Sequence, residues 1–121
     1  MKFHKISQEH YNKLLQILEN YKKLVYEYNK EISGKGYYLK PKHIIVKRTR
    51  YGKVKYIYFG RYWYKIVYVG KKNKSSKIKW IYLGREKPDP KLPDPPHHPL
   101  ENIVIKIDEH GIYINETGEA I

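Results

Sequence analysis

Nine residues, Lys53-Val54-Lys55-Tyr56-Ile57-Tyr58-Phe59-Gly60-Arg61, return 24 positions later as Lys77-Ile78-Lys79-Trp80-Ile81-Tyr82-Leu83-Gly84-Arg85. Every position is identical or conservatively replaced. An internal repeat limits the fold, because both copies need the same kind of neighbour. Each copy is rich in Tyr, Ile and Val and ends on Gly, so each reads as the second strand of a β-hairpin. The first hairpin spans residues 44–59 and turns near Tyr51-Gly52. The second spans 62–83 and turns through 70–76. Four short strands in an antiparallel meander are expected. A two-residue Tyr51-Gly52 turn would put Tyr at positive φ; a three-residue loop with Gly52 left-handed is equally compatible.

The repeat lies in an unusual field of charge. From Lys42 to Arg85 there are 14 Lys/Arg, ten aromatics and no Asp or Glu. Basic, aromatic, acid-free strands are what a nucleic-acid-binding sheet should present. The chain's net charge of +13 is uneven. Residues 1–86 carry 22 basic and 5 acidic side chains, residues 87–100 carry 2 of each, and residues 101–121 carry 1 and 5. This describes a polyanion-binding body with an acidic tail. A solvated surface serving solubility, or an acidic membrane or protein partner, is the competing reading.

The fold class expected is α+β: a long N-terminal helix packed on the meander, a Pro-rich spacer, and a C-terminal hairpin. Ser7 is a plausible N-cap with Glu9 in the first turn. The helix should run to about Ile32 and stop before Gly34. Its apolar seam is Tyr11, Leu14, Leu18, Tyr21, Val25, Tyr28 and Ile32, alternating spacings of 3 and 4, with Leu15, Ile17 and Leu24 widening the stripe. That seam suits packing on the chain's own sheet; a dimeric coiled coil would use the same pattern. Pro41 should end whatever Tyr37-Tyr38-Leu39 forms. Residues 87–100 hold six of the seven prolines and read as a stiff, extended spacer between a body at 1–86 and a hairpin at 101–121. Ile103–Ile107 and Ile112–Ile114 flank Asp108-Glu109-His110-Gly111. This acidic hairpin cannot be stable alone, so it must pack on the body, pair with an edge strand, or dimerise. A homodimer could form through the helix or this hairpin.

Strand alternation divides the repeat into two faces. Val54, Tyr56, Tyr58, Ile78, Trp80 and Tyr82, joined by Tyr62, Tyr64, Ile66 and Tyr68, are uniformly large and apolar, and are expected to face the helix. The other face shows Lys53, Lys55, Lys77 and Lys79, with Arg48 and Arg50 near the first turn. Four unpaired lysines cannot be buried, so this face is expected to be exposed. Ile57, Phe59, Ile81 and Leu83 would be covered by the C-terminal hairpin, or act as wedges between base steps. The expected nucleic-acid-binding residues are Lys47, Arg48, Arg50, Lys53, Lys55, Trp63, Lys77 and Lys79. Trp63 is included because it lies off the aromatic set. Lysine outnumbers arginine 21 to 4, which favours phosphate contacts over base reading. Duplex DNA bound by shape is the expectation. A single-strand or RNA binder would instead expose aromatics for stacking.

Tyr62-Trp63-Tyr64-Lys65-Ile66-Val67-Tyr68 with Lys77-Ile78-Lys79-Trp80-Ile81-Tyr82-Leu83-Gly84 resembles the β-meander of small DNA-binding proteins of crenarchaeal viruses and plasmids. It is also similar to the N-terminal region of fusellovirus-type integrases and of some transposase-related proteins. The resemblance covers about a fifth of the chain. It implies DNA binding through a sheet-containing module, as a regulator or architectural factor of a mobile element. The integrase catalytic domain has no counterpart here, and no catalytic residues carry over.

Enzymatic chemistry is not expected. The six histidines, His4, His10, His43, His97, His98 and His110, form no metal spacing with carboxylates, and His97-His98 should be solvent-exposed. The basic strands lack the clustered carboxylates of a metal-dependent nuclease. No base is placed to activate a tyrosine nucleophile, and no Gly-rich phosphate loop implies a cofactor. No apolar run is long enough for a membrane span and no signal peptide is visible. With no Cys, the chain fits a host cytoplasm, and its Lys-, Ile- and Tyr-rich composition leans towards a thermophile. The alternative to nucleic-acid binding is a protein-interaction module, such as an inhibitor of a host nucleoprotein complex. The acidic tail is expected either to be structural cover or to compete with nucleic acid for the basic face.

Overall fold

The computed structural model describes residues 2–72 and 75–115. Asn73 and Lys74 of the second turn, and the acidic Glu116 and Glu119, lie outside them. In chain order the elements are β1 (Phe3–Ile6), α1 (Gln8–Glu31), β2 (Tyr37–Thr49), β3 (Gly52–Lys72), β4 (Ser75–Gly84), β5 (Val104–Asp108) and β6 (Gly111–Asn115). The fold is α+β: one helix on an antiparallel sheet of six strands ordered β1-β6-β5-β3-β2, with β4 also paired to β3. Among the described residues no helix is long and apolar enough to cross a membrane.

The helix begins and ends where its capping chemistry says it should. The Ser7 Oγ accepts the His10 backbone N–H at 3.0 Å, satisfying one of the donors that a helix start leaves open. Ile32 closes it and Gly34 follows at positive φ. Leu14, Leu18, Tyr21, Val25, Tyr28 and Ile32 are all buried, so the heptad seam is consumed by the chain's own sheet. Leu14 and Leu18 pack with Ile57, Phe59 and Ile105. Tyr21, Val25, Tyr28 and Ile32 pack with Leu39 and Trp63.

Three strands, not four, connect residues 37 to 84. β3 runs unbroken for 21 residues through Gly60-Arg61, where the repeat suggested a break. β2 is long enough to pair with both halves: Tyr37↔Lys65 at one end and Thr49↔Gly52 at the other. A one-residue register shift between Lys40 and Lys42 absorbs the mismatch. Pro41 sits at that bulge on an edge strand, where its missing N–H costs no ladder bond. The turn is the two-residue Arg50-Tyr51 loop, and positive φ falls on Gly52 rather than Tyr51. Arg48 therefore shares a face with Lys53. On the outer edge of β2, the Asn29 side chain takes both backbone groups of Leu39, each at 2.9 Å, so a helix amide completes the strand there.

The C-terminal hairpin extends the sheet instead of covering its face. β5 pairs with β3 (Ile57↔Ile105), and β6 pairs with β1 (His4↔Ile114). Both edges of the hairpin are thus occupied, and Ile105 is fully buried.

Residues 87–100 pack across α1 instead of spanning open space. An extended Pro-rich stretch offers carbonyls without matching N–H groups, and the helix tyrosines supply the donors. Tyr21 Oη donates to the Pro96 carbonyl at 2.9 Å and Tyr28 Oη to the Pro93 carbonyl at 2.6 Å. Burial pushes both hydroxyls up to about 12, so they remain protonated donors. Leu92 and Leu100 complete the two core clusters.

His98, expected in solvent, is 1% exposed. Its ring lies 4.1 Å from that of Tyr21. Nδ1 accepts the Leu100 N–H at 3.1 Å, so Nε2 carries the proton and donates to the Pro41 carbonyl at 2.8 Å. Burial lowers its pKa from 6.5, opposed by the Pro41 bond and by Glu101. A depressed folded-state pKa means that the unfolded chain binds the proton more readily. The stability contributed by neutral His98 is therefore full above pH 6.5 and is lost as pH falls below it towards the folded value. In denaturant titrations from about pH 8 to about pH 5, the stability advantage of the native protein over H98Q should shrink. A pH-independent difference would contradict this assignment.

Candidate nucleic-acid interface

The faces of the sheet are the reverse of the sequence expectation, and a length mismatch explains why. At ~1.5 Å per residue α1 is about 36 Å long, whereas β3 at ~3.3 Å per residue spans about 70 Å. The helix therefore covers only the middle of the strand. The covered face must be apolar only there, at Ile57, Phe59 and Trp63, all buried. On the same face Lys53, Lys55 and Lys65 lie beyond the helix and are exposed. Ile81 and Leu83 of β4, the repeat counterparts of Ile57 and Phe59, also lie outside its cover and are about two-fifths exposed.

The aromatic set occupies the opposite face, where Tyr68, Ile78, Trp80 and Tyr82 are exposed, Tyr56, Tyr58, Tyr64 and Ile66 half-buried, and Tyr62 buried. There the rings form a continuous run. Tyr38 meets Trp80 at 5.2 Å, Trp80 meets Tyr64 at 6.1 Å, and Tyr64 meets Tyr82 at 5.4 Å. Tyr82 meets Tyr62 at 6.4 Å, and His43 bridges Tyr62 at 5.6 Å to Tyr58 at 6.4 Å. Tyr58 meets Tyr56 and Tyr56 meets Phe3, each at 6.3 Å. Trp80 is 45% exposed and Tyr82 53%. Tyrosine makes this face tolerable in water, since each ring is apolar while its hydroxyl remains hydrated.

Cations lie over these rings. Lys40 Nζ is 4.7 Å from the Tyr64 centroid and 5.2 Å from that of Trp80. Lys47 stands over Tyr56, Arg85 over Tyr62, and Lys106 over Phe3 and Tyr113, all between 5.5 and 5.8 Å. Among the described strand residues, the one carboxylate on this face is Asp108, at its margin, where it accepts the His110 N–H within its own turn. The face therefore offers stacking surfaces and positive charge together.

The residues singled out from the sequence are distributed around this face rather than gathered on it. Lys47 lies on it. Arg48, Arg50, Lys53 and Lys55 cluster at the tip of the β2–β3 hairpin. Lys77 and Lys79 lie at the opposite end, Lys79 pairing with Val67. Position 67 is about 40 Å along β3 from Lys55, at ~3.3 Å per residue. The lysines of the repeat thus form two poles, not one patch. Trp63, expected to be exposed, is 1% exposed and meets Tyr28 edge-on at 6.0 Å. Sequence reasoning missed Tyr38, Lys40, Tyr64, Trp80, Tyr82, Arg85 and Lys106 as members of this face. The available signal was chemical: the aromatic face is mostly tyrosine, whereas the buried one is Ile, Phe, Trp and Leu.

No protein-family model matches this chain, and neither does any curated protein or solved structure.

Proposed function

We propose that this protein is a non-enzymatic nucleic-acid-binding protein that takes a single strand across the open aromatic face of its sheet. The observation that carries this reading is the unbroken run of rings from Tyr38 to Phe3 on the face away from the helix, exposed at Tyr38, Trp80 and Tyr82, with Lys40, Lys47, Arg85 and Lys106 above it. Unpaired bases stack on such rings, and the cations track the backbone. The basic hairpin poles extend the positive path beyond both ends of the helix. Duplex DNA presents no free base faces, so this arrangement would be largely idle against it. A second reading keeps duplex DNA, because the β2–β3 tip with Lys47, Arg48, Arg50, Lys53 and Lys55 is a two-stranded ribbon of the kind a major groove admits. A role in a viral or plasmid element, acting in a host cytoplasm, fits the resemblance of residues 62–68 and 77–84.

The test is fluorescence anisotropy with one sequence as single-stranded DNA, RNA and duplex DNA across a salt series. Single strands should bind more tightly than duplex and quench Trp80 emission. The log–log salt slope should be about −0.7 per phosphate contacted. Duplex binding at least as tight, with no change in Trp80 emission, would select the ribbon reading. Failure to bind any of the three would leave the face to a protein partner.

A further inference from the structure

On the open face β4 and β5 lie end to end along one edge of β3 and do not meet. β4 ends with Gly84 paired to Trp63, and β5 begins with Val104 paired to Tyr58. The gap is a notch of about 350 Å³, lined by Tyr58, Tyr62, Arg85, Asn102, Val104 and Asn115 among others. That lies at the small end of the ~300–1,000 Å³ range of small-molecule sites. It also falls where the ring run is carried past by His43, between Tyr62 and Tyr58.

Its construction is specific. Gly60 is buried, and a Cβ there would sit 3.2 Å from Arg85 Nη2 and 3.3 Å from the Tyr62 ring, so the missing side chain lets these two groups of the lining take their places. Asn102 is the one non-glycine residue at positive φ among those described, at 72°. Its backbone N–H is held by the Phe59 carbonyl at 3.1 Å. Its side-chain Oδ1 accepts from Arg85 Nη2 at 2.8 Å, which fixes the guanidinium over Tyr62. The buried Asn115 amide braces the wall, donating to the Asn102 carbonyl at 3.0 Å and accepting the Val104 N–H at 2.8 Å. Arg85 has five N–H donors, and the bond to Asn102 uses one.

We propose that this notch is a subsite for one unstacked base of the bound strand, and that it prefers guanine through Arg85. The inference rests on the single-strand reading above. A strand laid on the rings stacks its bases on either side, and the gap between β4 and β5 beside the run is where one base can leave the stack. Guanine presents two adjacent acceptors, O6 and N7, that match the guanidinium fork; adenine presents a donor in place of O6. Arg85 is the one arginine over this face, the other cations on it being lysines that act as point charges.

The experiment measures affinity for an oligothymidylate carrying a single central guanine, adenine or cytosine. The native protein should bind the guanine oligomer about 10-fold or more tightly than the adenine one. R85K keeps the charge but loses the fork, so it should abolish the preference while leaving the salt slope unchanged. G60V should push the Arg85 guanidinium from its place over Tyr62 and abolish the preference too; if G60V fails to fold, R85K alone decides. Equal affinity for all three oligomers, or preference for another base, overturns the subsite and leaves the single-strand reading standing. No binding to any oligomer overturns both.

Discussion

Replacing Trp80 and Tyr82 together by alanine should lower affinity for single-stranded nucleic acid by at least about 30-fold. Stacking on an aromatic side chain is worth ~1–3 kcal/mol per base by alanine substitution, and two are removed. Both residues are about half exposed on the face away from the helix, so the loss should come without unfolding, checked by circular dichroism and thermal melting. Neither substitution changes charge, so the salt slope should match that of the native protein. That pairing of results separates stacking from electrostatics. A double variant with native affinity would remove the aromatic face from the interface, whereas a changed slope would mean that the substitutions displaced the cations above the rings.

Trp63→Ala should act in the opposite way, on stability first. Trp63 packs with Tyr21, Val25, Tyr28, Ile32, Leu39 and Leu92, and truncating a buried Trp costs ~3–5 kcal/mol. Domains have only ~5–15 kcal/mol of stability in total, so about a fifth or more of it should go. Denaturant unfolding followed by circular dichroism measures this directly. Trp63→Phe retains most of the buried surface and should be milder, with native affinity for nucleic acid under folding conditions. If W63A kept native stability and lost only binding, Trp63 would belong to the interface, as its place off the aromatic alternation first indicated.

The two tryptophans show how alternation separates the faces of a strand without identifying them. Trp63 and Trp80 fall into different faces from the sequence alone, but burial favours apolar surface and so points to the large apolar set as the core. That rule assumes a helix as long as its strand. Here the helix is about half as long, so lysines at 53, 55 and 65 share a face with the core and remain wet. The opposite face keeps Tyr68, Ile78, Trp80 and Tyr82 at the surface, two of them tyrosines whose hydroxyls can meet water. Pro41 and the 87–100 segment were misread for a related reason. Proline lacks a donor, which rules out the middle of a sheet, but it does not rule out an edge bulge or a segment whose carbonyls receive donors from elsewhere. The buried place of His98 follows from that docking and has no local signature.

Local chemistry determined the helix from Ser7 to Ile32, its buried seam, the strand content and the positive charge free of carboxylates between residues 42 and 85. These rest on capping, periodicity and composition, which act over a few residues and are written in the chain. The joining of two expected strands into β3, the insertion of the C-terminal hairpin into the same sheet, the docking of the prolines on α1, and above all the choice of the exposed face were decided by tertiary structure. Each depends on which segments, far apart in sequence, compete for the same edge or the same stretch of apolar surface. A strand carries its two faces in its sequence; only the length and position of what packs on it decide which one meets water.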